Sequence, residues 1–272
     1  MPGSTLDPSA YARYLAMQKD AYEAEVPAED VVGFYDWHEN FPYETQLLFV
    51  NGDLRMPLLD DLDERTALDF GCGPGRMVGR MRQLFAQVDG VDISSRLIDE
   101  ARARHPGSRF WVTSGDDLGG VEPESYDLVY STIAMQHIAV RSLRQAILGR
   151  MREALKPGGA VSIQLAFNPA YPYLRPALQV EDGTHRVEVR ERDTTHAGWN
   201  EDRVGADQTN SGCDAAIGAA DLSSVHADFS EHFDDVRYWF YDVSLVYGDL
   251  LGARHATDYW PTHWLFVSGY RR

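Results

Sequence analysis

Only two cysteines occur among the 272 residues, Cys72 and Cys213, which excludes a disulfide framework and a cysteine-rich zinc site. No apolar run reaches the roughly 18 residues that a membrane-spanning helix needs. The first 25 residues lack a basic stretch followed by an apolar one, which argues against a signal peptide. Lysine is nearly missing, Lys19 and Lys156 against 23 arginines, and no function is drawn from that. Positive charge as a whole is in deficit: 25 basic side chains face 42 acidic ones, for a net charge of −17. Tight nucleic-acid binding needs a basic footprint, so a nucleic-acid partner is disfavoured. Repeats and low-complexity tracts are absent. These absences together point to a soluble cytoplasmic protein without a membrane partner.

What is present is ordinary globular composition, 44% hydrophobic and 25% charged, in a length that suits one α/β domain with appended segments. The acidity is uneven. Residues 1–60 carry 11 acidic against 3 basic side chains, whereas residues 61–167 carry 14 against 13. Acidic flanks serve solubility, or they repel polyanions.

Residues 1–60 read as a helical N-terminal cap, with Tyr11, Tyr14, Leu15 and Met17 at helical spacing and an aromatic stretch around Phe34, Trp37 and Tyr43. From Thr66 the pattern alternates. Strands are expected at 67–70, 88–92, 109–113, 126–131 and 160–167, and helices at 76–85, 94–104 and 141–155, with Lys156-Pro157-Gly158-Gly159 stopping the last. Strands alternating with helices imply a parallel sheet with right-handed crossovers. Residues 168–218 then turn polar, with a weak strand signal at 186–189, and read as an ordered lid. A helix at 219–233 and strands at 236–246 and 264–270 close the chain.

Strand 67–70 runs into Gly71-Cys72-Gly73-Pro74-Gly75 and then a helix. Glycines let backbone approach a ligand, and a helix N-terminus offers unpaired N–H groups. Asp92, at the end of the next strand, is placed to accept hydrogen bonds from ribose hydroxyls. Arg76 stands where a dinucleotide fingerprint would have its third glycine, and no Gly-Lys-Ser/Thr follows, so the ligand has a ribose but need not have a pyrophosphate. With Leu68-Asp69-Phe70 before the loop, Gly90-Val91-Asp92-Ile93-Ser94, Gly115-Asp116-Asp117-Leu118, Tyr126 to Ser131 and Leu155 to Gly159, in this order and spacing, residues 66–165 resemble a class I S-adenosylmethionine (SAM)-dependent methyltransferase. The resemblance implies a Rossmann-like α/β fold, a seven-stranded, mostly parallel sheet with an antiparallel last strand. Residues 1–60 would be the cap and 61–272 the methyltransferase domain, with 168–218 a substrate lid inserted after strand five. It implies SAM as cofactor and S-adenosylhomocysteine as product. Gly71, Gly73 and Gly75 would wrap the methionine portion, Asp69 would fix the loop or the amino group, and Asp92 would hold the ribose. Asp116 or Asp117 would meet the adenine amine and Ile93 its face, and backbone near Ser131 would line the methyl side. Cys72 is read as a small residue of the loop.

Methyl transfer requires an aligned nucleophile and exclusion of water, and an oxygen nucleophile usually needs a base or a metal. His137, just past strand 126–131 at the carboxyl end of the sheet, is the candidate base; the alternative is that it packs the following helix. Trp37, Tyr43, His196 and Trp199 are candidate substrate contacts, with core packing the competing reading. His38 and His263 read as packed histidines and Asp234-Asp235 as a solvated loop. No cluster has convincing metal-ligand spacing, so a divalent metal stays open but is not predicted. The expected acceptor is a small polar molecule methylated at a hydroxyl oxygen, of sugar or sugar-acid type; N- or C-methylation, or SAM binding without methylation, are the alternatives. Residues 1–60 are a candidate homo-oligomer contact.

Overall fold

The protein is described by a computed structural model covering residues 7–24, 41–169, 171, 177–181, 184–188, 197–202, 215–243 and 262–272. Strands β1 (Thr66–Phe70), β2 (Gln87–Asp92), β3 (Phe110–Val112), β4 (Tyr126–Ser131) and β5 (Leu155–Phe167) pair in parallel. Outside the main sheet, β6 (Ala177–Glu181) pairs with β7 (Thr184–Glu188), and β8 (Ala197–Gly198) with β9 (Ala215–Ala216). The chain returns to the main sheet with β10 (Asp234–Asp242) and β11 (His263–Tyr270). The seven-stranded order is β10-β11-β5-β4-β1-β2-β3, and β11 lies antiparallel to both β5 and β10, so it alone runs against the rest.

The described α-helices are α1 (Pro8–Glu23), α2 (Tyr43–Leu48), α3 (Arg76–Met81), α4 (Ser95–Arg104), α5 (Arg141–Ala154) and α6 (Leu222–Ser230). Alternation along the strands supplies a core to each face of the sheet. Val161, Ile163, Leu165 and Phe167 of β5 join Leu143, Ile147 and Met151 of α5 and Phe229 of α6 on one face. Ala160 and Ala166, with Leu128 and Tyr130 of β4, face Met77 and Val78 of α3 and Ile98 of α4 on the other. The two described helices of the N-terminal segment divide between these faces: Tyr14 of α1 joins the first core, and Tyr43 and Leu47 of α2 the second.

Several boundaries differ from expectation; β10 begins at Asp234 rather than at 236, so Asp234-Asp235 belong to its irregular first pairs and not to a loop. The helix after the glycine loop stops at Met81, and residues 82–85 continue as tighter turns, with Gln83 N–H on the Arg80 carbonyl and Leu84 N–H on Met81. Strand β5 starts at Leu155 rather than 160. Leu155 already pairs with Tyr126, and Gly158, at φ +79°, donates its N–H to the Arg271 carbonyl. The weak strand signal in the insert becomes the second strand of the hairpin β6/β7, whose first strand had no distinct pattern. The chain leaves β1 toward β2 and β4 toward β5, in opposite directions, so a crevice opens at the carboxyl ends of β1 and β4.

Candidate functional site

A cavity of about 580 Å³ occupies that crevice, bounded by the glycine loop, the ends of β1, β2 and β4, and α1. The glycine loop is held from beneath: Gly71 and Cys72 both donate N–H to the Val91 carbonyl, at 2.8 and 3.0 Å. All three loop glycines have positive φ, the left-handed region that side chains disfavour. Their surroundings differ. A Cβ on Gly71 would lie 2.3 Å from the Ala134 Cβ, and one on Gly75 2.6 Å from the His105 ring, whereas one on Gly73 meets nothing within 4 Å. Gly71 thus lets the loop after β4 close in, Gly75 lets α3 pack, and Gly73 opens to the cavity.

Asp69 lies at the cavity floor, 1% exposed. Burial pushes its carboxyl well above the usual carboxylate range, and the nearby Arg76 charge and Tyr130 hydroxyl pull part of the way back. Asp92 stands opposite. Its Oδ2 accepts the Gly73 N–H at 2.8 Å and its Oδ1 the Ser94 N–H at 2.9 Å, which ties the glycine loop to the end of β2. Burial raises its pKa against the pull of those N–H groups. Cys72 also lines the cavity; burial, then the charges of Asp69 and Asp92, push its thiol well above the usual range, so it stays a neutral small residue.

Ile93 lines the cavity beside Gly115. The two candidate acids after β3 separate in role. Asp117 accepts N–H groups from Ser114 and Gly119, each at 3.0 Å, and so caps a turn. Asp116 accepts the Ser114 hydroxyl at 2.7 Å and the Tyr11 hydroxyl at 3.2 Å, and neither acid lines the cavity. Ser131 is fully buried and donates to the Phe70 carbonyl at 2.9 Å, so the wall here is Thr132, Ile133 and Ala134.

His137 lines the cavity from a turn over Met135–His137. The preceding Ile133 has φ +59°, a strained value for a β-branched residue. Its N–H is accepted at 2.7 Å by the side chain of Gln164, a fully buried residue of β5. Further along, the Tyr14 hydroxyl accepts the Ala139 N–H at 2.7 Å and donates to the His137 carbonyl at 3.4 Å. Arg144 donates to the Ile138 and Trp199 carbonyls. The segment carrying His137 is thereby held by side chains from β5, α1 and α5.

The two described candidate substrate contacts, Tyr43 and Trp199, do not line the cavity. Trp37 and His196 lie outside the described residues. Tyr43 is fully buried beside Phe41, with the Arg76 guanidinium 5.3 Å from its ring centre, and does not line the cavity. Trp199 is also fully buried: Arg144 sits 4.2 Å from its ring, and its indole N–H donates to Asp228 at 2.9 Å. Trp199 therefore anchors the insert behind the His137 segment. Sequence reasoning missed Leu15, Gln18 and Tyr22 of α1, and Arg76, as cavity lining. The helical spacing around Tyr14 was visible, but nothing local encodes which distant surface that helix meets. Among the described residues, no group of three or more His, Cys, Asp or Glu side chains is placed to hold a metal, and no helix is long and apolar enough to cross a membrane.

Residues 67–159 match a family model described as a methyltransferase domain. The chain is 30% identical over 132 residues to a malonyl-[acyl-carrier protein] O-methyltransferase from Salmonella typhimurium, covering 48% of this chain and 51% of that protein. It is 31% identical over 116 residues to a trans-aconitate 2-methyltransferase from Paracidovorax citrulli, covering 42% and 43%. It thus spans about half the length of the curated relatives it matches. A solved S-adenosylmethionine-dependent methyltransferase from Mesorhizobium loti has a TM-score of 0.52 at 19% identity over 79% of this chain and 94% of that one, a likeness of fold.

Proposed function

We propose that this chain, whose residues 67–159 form a class I SAM-dependent methyltransferase domain, transfers a methyl group from SAM to an oxygen of a small polar metabolite. The observation that carries the reading is the buried carboxylate of Asp69, beside Arg76 and Tyr130, in the lining of the same cavity as the open Gly73 and the carboxylate of Asp92. An amino group on a ligand would supply a donor at Asp69, and ribose hydroxyls can donate to Asp92. The residues present therefore fit SAM, which when bound supplies a methyl group on a positively charged sulfur. Ile93 offers an apolar face for a nucleobase. Ile133 and Ala134 wall the opposite side and exclude water there.

The acceptor side falls to His137. Its ring takes the proton of an attacking hydroxyl, and the ties on its segment fix the direction from which it does so. The O-methyltransferase relatives support an oxygen acceptor; a sugar or sugar-acid hydroxyl is the finer reading. Residues 168–218 serve as a lid, supported by anchors next to the His137 segment: Ser142 donates its N–H to Asp202 at 2.8 Å and Arg141 donates to the Glu201 carbonyl at 3.1 Å. The test is transfer of labelled methyl from SAM into a fractionated cell extract, with and without chelator. Label in small polar metabolites is the expected result. Label in RNA or protein overturns it, and loss of label with chelator replaces His137 by a metal as the activating group.

A further inference from the structure

Helix α1 lies outside residues 67–159, yet it forms one wall of the cavity through Leu15, Gln18 and Tyr22. Its own burial is slight: of its sixteen residues only Tyr14 and Gln18 are buried. An apolar face that thin holds a helix in place weakly, and polar attachments do the rest. At the start of the helix, the Tyr11 hydroxyl donates to Asp116 at 3.2 Å. In the middle, Tyr14 is bonded to the segment carrying His137, as described above. At the end, the Glu23 carboxylate caps α4. It accepts the Ser95 N–H at 2.7 Å, the Ser95 hydroxyl at 2.8 Å, and the Arg96 N–H and Ser94 hydroxyl at 3.2 Å each. A carboxylate on a helix N-terminus meets unpaired N–H groups and the positive end of the helix dipole, and Arg96 adds a bond from its guanidinium to the Glu23 carbonyl.

These attachments land on the three segments that carry the expected ligand contacts: the turn after β3 with Asp116, the start of α4 just past Asp92 and Ile93, and the loop after β4 with His137. Leu15 also closes on Ile93, since a Cβ on Gly115 would meet Leu15 at 2.9 Å and Ile93 at 3.0 Å. We infer that α1 is a binding element for the adenosyl ligand, in which Leu15, Gln18 and Tyr22 cover the ligand while Glu23 and Tyr11 hold the helix over it. This rests on the reading that the cavity takes SAM. The bound state of a ligand covered in this way includes contacts with α1. Loosening the helix must then speed dissociation more than association and weaken affinity.

The experiment uses the full chain and S-adenosylhomocysteine as the probe, with Kd from calorimetry and rates from stopped-flow tryptophan fluorescence. Glu23→Ala combined with Tyr11→Phe is expected to raise the dissociation rate about 10-fold or more, with Kd weakened to match and the association rate within about 3-fold. Leu15→Ala, which keeps every attachment, is expected to weaken Kd about 3- to 10-fold, and it decides the matter if thermal melting shows the double variant unfolded. Equal acceleration of both rates at unchanged Kd makes α1 a gate alone and overturns the inference, as do unchanged rates. Wild-type protein that fails to bind the probe overturns the methyltransferase reading along with it, whereas tight wild-type binding with indifferent variants overturns only the role of α1.

Discussion

Asp69 is the residue on which the ligand reading turns. A carboxylate at 1% exposure is costly unless a charge or a donor pairs with it. Burial raises its pKa in the ligand-free protein, and an ammonium beside it would favour the ionised form. Binding then releases a proton, so affinity for S-adenosylhomocysteine should strengthen as pH rises through the raised pKa of Asp69 and level off above it. Asp69→Asn should remove that pH dependence and weaken affinity on the order of 10- to 100-fold, the worth of one charge-assisted hydrogen bond; calorimetry in buffers of different ionisation enthalpy reads both. His137 is the corresponding residue on the acceptor side. His137→Ala should cut turnover at least about 10-fold, since a positioned base typically contributes about 10²–10⁴, while leaving affinity for S-adenosylhomocysteine within about 2-fold. Unchanged turnover in the labelled-methyl assay removes it as the base.

At the scale of elements, the loop after β4 shows how a strand places chemistry it does not itself perform. Ile133 pays for its position with φ +59°, and Gln164, a polar residue between Ile163 and Leu165 in a buried strand, accepts its N–H. Replacing Gln164 by Met leaves that donor buried and unpaired, a cost of about 1–3 kcal/mol. The turn should relax toward an unstrained φ and draw Ala134 away from Gly71. Gln164→Met should therefore lower turnover and melting temperature together, whereas Gln164→Glu, which keeps the acceptor for Ile133 but buries a carboxyl against Gln136, should restore turnover more than melting temperature. Equal turnover in the two variants would show that the turn does not depend on this bond. The loop's glycines and the strand alternation were legible in the sequence, because both are local patterns. Gln164 was not, because its role comes from pairing with a residue 31 positions away across a strand boundary.

Across the whole molecule, the end of the sheet opposite the cavity is held by a charge cluster. Asp127 of β4 accepts the Thr66 N–H and hydroxyl, each at 2.9 Å, at the start of β1, the Lys156 ammonium at 2.7 Å in β5, and Arg65 at 3.1 Å. Burial pulls its carboxyl upward, but Lys156, Thr66 and Arg65 outweigh it and hold the pKa down at about 2. A depressed folded pKa contributes stability that is complete above the unfolded carboxylate pKa of about 3.9 and is lost as pH falls through the folded value. The melting temperature should thus drop between about pH 4 and pH 2. Asp127→Asn should flatten that part of the curve and lower the melting temperature at pH 7 by roughly 5 °C; an unchanged acid limb would place the sensitivity elsewhere.

The sequence by itself determined the α/β class, the alternation of strands and helices up to β5, the glycine loop from Gly71 to Gly75 and the acid Asp92 at the end of the next strand. Each of these rests on periodicity, glycine conformation or spacing within a few tens of residues, which the chain expresses locally. Only the tertiary structure placed Tyr43 and Trp199 in the packing rather than in the cavity lining, and brought Leu15, Gln18 and Tyr22 to the cavity. Those outcomes depend on which surfaces meet after separations such as that between Tyr11 and Asp116, 105 positions apart. At such distances the burial of a whole face, rather than any local preference, sets the partner.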